Sequence, residues 1–496
     1  MAARRRASSR ATATVTATDT DKSKSETPTK QEHADPPIAP PKSGLIFKLC
    51  LFFAIPYFYL LFYHYKIESE LQRSILINAG LSLAGFFITQ KMIPVASRYV
   101  LRRNLFGYDI NKKGTPQGTI KVPESLGIVV GAVFLVLAIL FQYFNFTADS
   151  NIAIVEKLGI AKNDFLGTVA EVEELDTYVL NIGKAGCSNG NIFRDKEIEV
   201  AGKTRGMINR LLDEVLTISF MQWLVEYNAA LASICFMLLL GFVDDVLDVP
   251  WRVKLILPSF AALPLLMAYA GHTSIIIPKP LVPYVGLEIL DLGWIYKLYM
   301  FLLAVFCTNS INIHAGLNGL EVGQTVVIAS AILLHNIMQI GASLDPEYKQ
   351  AHAFSIYLVQ PLLATSLALF SYNWYPSSVF VGDTYTYFAG MTMAVVGILG
   401  HFSETLLIFF LPQVLNFLLS VPQLFGFVKC PRHRLPGFNP QTGLLTGTND
   451  GTLVNFFLRL FGKMSEGSLC AALLVFQAIA CCLCFVLRYF LTGWYK

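Results

Sequence analysis

Charge is what this sequence has least of. Of 496 residues only 15% are Asp, Glu, Lys or Arg, against 54% hydrophobic and a mean hydropathy of +0.52. A soluble chain of this size carries about a quarter charged residues to keep its surface wet, so a water-soluble multidomain enzyme is excluded. The signs nearly cancel, with 38 Lys and Arg against 34 Asp and Glu, and a balance of +4 is too small to argue for a nucleic-acid partner. Cysteine is no richer in meaning. The nine residues form no spaced pairs, which argues against a disulfide framework. Cys481 and Cys484 make a C-x-x-C only inside an apolar, lipid-facing stretch, and no second His or Cys stands at zinc-ligand spacing from His433. There is no internal repeat, and no stretch is left for a soluble domain of ordinary size.

What the sequence does have is long apolar runs. Leu45–Tyr65 is long enough to span a bilayer, which takes about 20 residues. Ten more follow near 75–95, 125–145, 225–243, 252–273, 293–313, 319–342, 355–372, 384–400, 403–427 and 468–492. In lipid each must satisfy its own backbone hydrogen bonds, so each is predicted to be a helix. The fold class is therefore all-α: a polytopic membrane protein with ten core helices and one extra N-terminal transmembrane helix. Residues 1–44, rich in Ser, Thr, Ala and Pro with Arg4, Arg5, Arg6 and Arg10, read as a disordered basic tail. The span 45–65 precedes a core over 75–496, interrupted by an insert at about 147–224 that carries 12 acidic and 8 basic residues.

Basic loops stay in the cytosol. The loop with Arg98, Arg102, Arg103, Lys112, Lys113 and Lys121 is placed there, and alternation then assigns 96–124, 244–251, 314–318, 373–383 and 428–467 to that face. The opposite face receives 147–224, 274–292, 343–354, the turn at His401–Phe402 and the C-terminus. Every polar cluster falls on the first face although they span some 300 residues, which points to one site.

The first cluster is Gly241–Lys254, with Asp244, Asp245 and Asp248 between two membrane helices and Arg252 and Lys254 following. A continuing helix would put Asp244 and Asp248 on one face. Carboxylates so near lipid are costly and usually functional or paired, and their density suits Mg²⁺. The bland alternative is a solvated, helix-capping loop. The second is Asn309–Gly323, where Asn309, Asn312 and Asn318 offer amides among glycines; a capped helix end is the structural reading. In the third, Asn373–Tyr385, Asp383 can cap a helix or, with Gly382, stand where a phosphate binds, and Phe380 can stack on a base or simply pack. The fourth is Lys429–Pro436, where Arg432, His433 and Arg434 form a stiff cationic segment that also satisfies membrane sidedness. Together the clusters supply acids for a metal, cations for phosphates, and amides with an aromatic for a base. That inventory suits phosphoryl transfer on a nucleotide-linked substrate at the membrane surface.

The stretches GFVDDVLDVPWRVKLILPS, FCTNSINIHAGLNGLEVGQ, NWYPSSVFVGDT and PQLFGFVKCPRHRLP resemble the polyprenyl-phosphate N-acetylhexosamine-1-phosphate transferase family, in particular its eukaryotic endoplasmic-reticulum branch. The resemblance covers about 75–496 without most of 147–224. It implies transfer of GlcNAc 1-phosphate from UDP-GlcNAc to dolichyl phosphate at the first step of N-glycosylation. It further implies Mg²⁺, inhibition by tunicamycin, a homodimer, and an endoplasmic-reticulum membrane location with the site facing the cytosol. Residue by residue it implies metal ligation by Asn312 and Asp383, Lys254 against the diphosphate, and Asp244 and Asp245 at the catalytic centre. Asn318 and Phe380 would hold uracil, and Trp251, Arg432, His433 and Arg434 would cover the sugar, with Glu124 completing the pocket. Asp248 departs from the Asn usual in eukaryotic relatives, and supplies an extra carboxylate able to pair with Lys254 or Arg252. Two rivals remain at this stage: a nucleotide-sugar or lipid transporter, disfavoured because the polar groups sit at helix ends, and a bacterial-type relative using another sugar or lipid.

Overall fold

The computed structural model describes residues 40–147, 221–269, 271, 273–429 and 434–495. Most of the N-terminal tail and of the 147–224 insert therefore lie outside the described residues. All eleven apolar runs fall on helices. These are α1 (Ser43–Tyr59, extended by a π turn at Leu60–His64), α2 (Ser69–Arg102), α3 (Gly127–Thr147) and α4 (Met221–Leu247). There follow α5 (Trp251–Ala268), α6 (Trp294–Ile313), α7 (Leu320–Ala342), α8 (Pro346–Asn373) and α9 (Gly382–Leu399). The last are α10 (Ser403–Phe409), α11 (Leu411–Leu424), α12 (Leu453–Phe461) and α13 (Glu466–Tyr495). Among the described residues the only sheets are two-stranded hairpins, β1 (Phe106–Gly107) with β2 (Val122–Pro123), β3 (Ser274–Ile276) with β4 (Ile289–Asp291), and β5 (Gly437–Asn439) with β6 (Leu444–Thr446). The protein is an all-α polytopic membrane protein.

Among the described residues eight helices are long and apolar enough to cross a membrane, and nine if the bent pair α10–α11 is one span. The remaining two runs lie on α5, whose described apolar stretch is Ile256–Ala268, and on α9. Helix α9 is enclosed on all sides by other helices, so it never needs to be solvated by lipid and can carry Asp383 and three threonines. Burial separates centre from rim: 89% of the apolar window of α8 is buried but only 17% of that of the N-terminal span. Gly127 of α3 and Gly241 of α4 let both helices press against the first turn of α9. A Cβ on Gly127 would lie 2.4 Å from Tyr385 N, and one on Gly241 2.7 Å from Thr384 Cα. Small residues at such crossings replace the hydrophobic force that lipid does not supply.

The predicted single helix over 403–427 is instead broken at Phe410, with a bend of 71° between α10 and α11. Pro412 has no N–H for the preceding turn and its ring crowds that turn's carbonyl. The Phe409 carbonyl is taken by Gln477 Nε2 at 2.7 Å, while Gln413 Nε2 donates to Gln324 and Gln477 at 2.6 and 2.7 Å. Polar groups exposed by the break are thus satisfied within the protein, as a membrane interior requires. The cysteine reading also shifts: Cys481 and Cys484 are buried against the bundle, whereas Cys482 between them is exposed.

The grouping of loops expected from alternation is reproduced. The loops 96–124, 244–251, 314–318, 373–383 and 428–467 are joined by hydrogen bonds at one end of the bundle, as the next section describes. At the other end Lys349 pairs with Glu68 at 2.8 Å, and Gly271 lies against His401. Lys42, just before α1, belongs to the first end: its N–H donates to Ser371 O at 2.9 Å, and its Nζ donates to the carbonyls of Trp374 and Pro376.

Candidate active site

Helix α4 ends at Leu247 and places Asp244 and Asp245 in its last turn. Asp248 follows in the left-handed region at φ 52°, exposed, so it does not continue the helix and does not share a face with Asp244. The expectation of one acidic face is corrected by that stop. Asp and Asn are the side chains that tolerate this conformation best after glycine, which accounts for either at this position. The reversal turns the chain into α5 and brings Lys254 back over Asp244.

Lys254 is the hub. Its Nζ lies 2.8 Å from Asp244 Oδ2 and 2.7 Å from Asp383 Oδ2, so one ammonium joins α4, α5 and α9. Asp244 is 2% exposed, and its remaining bonds come from Tyr387 OH to Oδ2 at 3.0 Å and Val249 N–H to Oδ1 at 3.1 Å. Asp383 Oδ1 accepts from Asn312 Nδ2 at 2.9 Å, which adds the end of α6. An ammonium has three donors. Two face carboxylates, and the third is available to a phosphate oxygen.

Asp245 does something else. Helix α9 has no capping side chain of its own, since Val381 stands at its N-cap. Asp245 caps it from α4 instead, with Oδ1 accepting Asp383 N–H at 2.6 Å and Oδ2 accepting Thr384 N–H and Oγ1–H at 3.2 and 2.5 Å. Asp383 therefore lies in the first turn rather than at the cap, which corrects the simplest reading of its position. A carboxylate there meets both orphan N–H groups and the positive end of the helix dipole. Gly382 makes the approach possible: it adopts φ +75°, and a Cβ on it would stand 2.1 Å from Asp245 Oδ2 and 2.9 Å from Ser125 Cα.

The strand β2 segment carries Glu124 and fixes Phe380 beside it. Phe380 N–H donates to Pro123 O at 2.8 Å, and Leu126 N–H returns to Phe380 O at 3.2 Å. A Cβ on Gly107 would touch both the Phe380 ring, at 3.1 Å, and Glu124 Oε2, at 3.2 Å. Two residues on, Asp109 Oδ2 accepts from Asn318 Nδ2 at 2.9 Å. The segment 107–109 thus links the Phe380 and Asn318 positions, although the Phe380 ring is only 2% exposed in this conformation. Asn309 is separate: its amide bonds back to Val305 O within α6. Arg434 is 8% exposed, and its carbonyl accepts from Asn455 Nδ2 at 3.2 Å. Arg432 and His433 lie outside the described residues, as do the side chains of Trp251 and Arg252.

The stretch of chain that carries this cluster matches a known family. The family description "glycosyl transferase family 4" matches residues 227–401, which contain Asp244, Asp245, Lys254, Asn312, Asn318, Phe380 and Asp383. A UDP-N-acetylglucosamine–dolichyl-phosphate N-acetylglucosaminephosphotransferase of Dictyostelium discoideum is 43% identical over 86% of this chain and 91% of its own. The chain belongs to this phosphotransferase family. Proteins of the same name from Schizosaccharomyces pombe and Saccharomyces cerevisiae are 38% and 35% identical, over 75% and 83% of this chain and 73% and 91% of theirs.

Within this phosphotransferase, sequence reasoning missed Tyr387, Thr384, Asp109, Asn111 and Glu466. Tyr387 had a signal, one turn after Asp383 on the same helix. Asp109 and Glu466 had none, being isolated acids some 350 residues apart that meet only in the fold.

Proposed function

We propose that the chain transfers N-acetylglucosamine 1-phosphate from UDP-GlcNAc to dolichyl phosphate, yielding GlcNAc-diphospho-dolichol and UMP. The observation that carries this is Lys254 held between Asp244 and Asp383, in a chain 43% identical to a transferase named for those two substrates. An oxygen of dolichyl phosphate attacks the β-phosphorus of UDP-GlcNAc, and the bond from that phosphorus to the bridging oxygen breaks to release UMP. A phosphate monoester has its second pKa near ~6 and is largely dianionic at neutral pH. The nucleophile therefore needs no strong base, and positioning with charge neutralisation dominates. The three donors on Asp244 agree with this, since they commit it to holding Lys254 and Tyr387 rather than to proton transfer. Lys254 offers its third donor to the diphosphate. Asp245 fixes the backbone of Asp383, and Asn318 with Phe380 takes the uracil. Glu124, Trp251, Arg432, His433 and Arg434 line the sugar end, with Asp248 at its rim.

The donor set fits Mg²⁺. Among the described residues no three His, Cys, Asp or Glu side chains surround a common metal position, but Mg²⁺ typically takes one or two protein oxygens and fills its shell with water and substrate phosphates. Asp383 Oδ1 and the Asn312 amide, 2.9 Å apart, would be those groups, the amide by its oxygen. When bound, the metal neutralises the diphosphate and eases departure of UMP. We place the site on the cytosolic face of the endoplasmic-reticulum membrane, in a homodimer sensitive to tunicamycin. The test is to incubate the purified chain with radiolabelled UDP-GlcNAc, dolichyl phosphate and Mg²⁺ and look for a tunicamycin-sensitive lipid product and UMP. Turnover of UDP-GalNAc or UDP-MurNAc-pentapeptide in place of UDP-GlcNAc would overturn the sugar assignment.

A further inference from the structure

A second buried network lies outside the Lys254 cluster and surrounds Asn318. The Asn318 backbone N–H donates to Glu466 Oε1 at 2.8 Å. Its side-chain nitrogen donates to Asp109 Oδ2 at 2.9 Å and to Glu466 Oε2 at 3.5 Å. Both acids are themselves held. Lys112 Nζ lies 2.8 Å from Asp109 Oδ2, and Asn111 N–H donates to Asp109 Oδ1 at 3.1 Å. Asn111 Nδ2 donates to Glu466 Oε1 at 3.0 Å and to Gly316 O at 2.8 Å. Asp109, Asn111, Lys112, Asn318 and Glu466 are all buried, and they come from the loop after α2, the α6–α7 loop and the start of α13.

The two ends of an asparagine amide are nearly the same shape, and its partners decide which way it faces. Glu466 Oε1 accepts from two N–H groups and Asp109 Oδ2 faces Lys112, so both acids meet the amide as acceptors and engage its NH₂ end. We propose that Asp109 and Glu466 are specificity-determining positioning residues, which lock the Asn318 amide with its oxygen toward the nucleotide base. The inference rests on the reading of Asn318 as a base contact. An oxygen presented there demands a donor on the pyrimidine edge. Uracil has one at N3–H, whereas N3 of cytosine is an acceptor and would meet the amide oxygen lone pair to lone pair. A site built to pair with one group rejects the analogue that lacks it, because its own polar atom is left unpaired.

The isosteric changes Glu466→Gln and Asp109→Asn test this in the full-length enzyme, because each adds a donor that lets the Asn318 amide turn over. The expected result is a rise of about tenfold in KM for UDP-GlcNAc with kcat held within about twofold, the signature of lost ground-state binding. Inhibition by UDP and by CDP is measured alongside, and the preference for UDP should fall by about tenfold. Asn318→Ala separates the two layers. If it leaves KM unchanged, the base contact itself is wrong. If it raises KM while both isosteric variants keep the wild-type UDP-to-CDP ratio, or lose kcat alone, the positioning role is overturned. Should Glu466→Gln fail to fold, Asp109→Asn carries the same test.

Discussion

Gly382→Ala adds one methyl group at the tightest point of the site. Its Cβ would lie 2.1 Å from Asp245 Oδ2, and the backbone would stay at φ +75°. The left-handed conformation costs an ordinary residue roughly 1–2 kcal/mol. The contact is impossible as it stands, so the Asp245 carboxylate must rotate away from the N–H groups of Asp383 and Thr384 and the Thr384 hydroxyl. Each hydrogen bond to a charged group contributes about 1.5–3 kcal/mol. Strain plus the loss of a single such bond comes to roughly 3–4 kcal/mol. Because the displaced carboxylate fixes the backbone of Asp383, most of that loss should fall on turnover. At about 1.4 kcal/mol per tenfold, a deficit near 3 kcal/mol lowers kcat/KM by about 10²-fold. The assay is transfer of labelled GlcNAc 1-phosphate to dolichyl phosphate, with thermal unfolding followed in the same detergent. Gly286→Ala is the control: it has the same positive φ, +77°, but nothing within 4 Å, so it carries strain without collision. Activity of Gly382→Ala within about threefold of Gly286→Ala would refute the assignment of Asp245 as the group that caps α9 and sets Asp383.

Three further outcomes follow from the same geometry. Lys254→Met leaves Asp244 and Asp383 facing each other without their shared cation; breaking such a pair should cost about 3–5 kcal/mol of stability, read as a lower unfolding midpoint together with loss of turnover. Chelation of divalent metal should abolish activity and added Mg²⁺ restore it, whereas Asp383→Ala should not be rescued at about tenfold higher Mg²⁺; normal activity of that variant at limiting Mg²⁺ would exclude Asp383 as a ligand. Burial first and the Lys112 charge second lower the Lys42 pKa from 10.5 to about 8. The unfolded chain thus binds more protons at this residue between those values, and stability gains from Lys42 deprotonation as pH rises through 8 toward 10.5. The unfolding midpoint of the wild type should accordingly rise relative to Lys42→Met across that window, and parallel curves would refute it.

The helices were legible because lipid imposes a demand that sequence cannot hide: a run of apolar residues long enough to cross. Their ends were less so. The break at Phe410 left no gap in hydropathy, because the amides that repair it, Gln324, Gln413 and Gln477, come from three different helices. The site was legible as residue types near one another in the chain, and alternation correctly put the five loops at one end. Roles within it were not. Asp244 and Asp245 look alike in sequence, yet one holds Lys254 and the other caps a helix 138 residues away. Asp248 belongs to the same run and is set apart by one backbone angle. Asp109 and Glu466 carry no local pattern at all, since their meaning lies wholly in a contact with Asn318.

The division of labour among the aspartates explains how a site so close to lipid tolerates three of them around one lysine. Unpaired buried charge is expensive, so each carboxylate needs its own compensation. Asp245 receives two backbone N–H groups and a hydroxyl at the positive end of α9, an arrangement that removes its charge from the balance without using a cation. Asp244 shares Lys254 and adds Tyr387 and a backbone N–H. Asp383 shares the same lysine through Oδ2, while its Oδ1 meets the neutral Asn312 amide. One ammonium thus serves two carboxylates. On the proposed function, a diphosphate brought to Lys254 would add negative charge beside Asp383, so nucleotide binding and cation binding there would each favour the other.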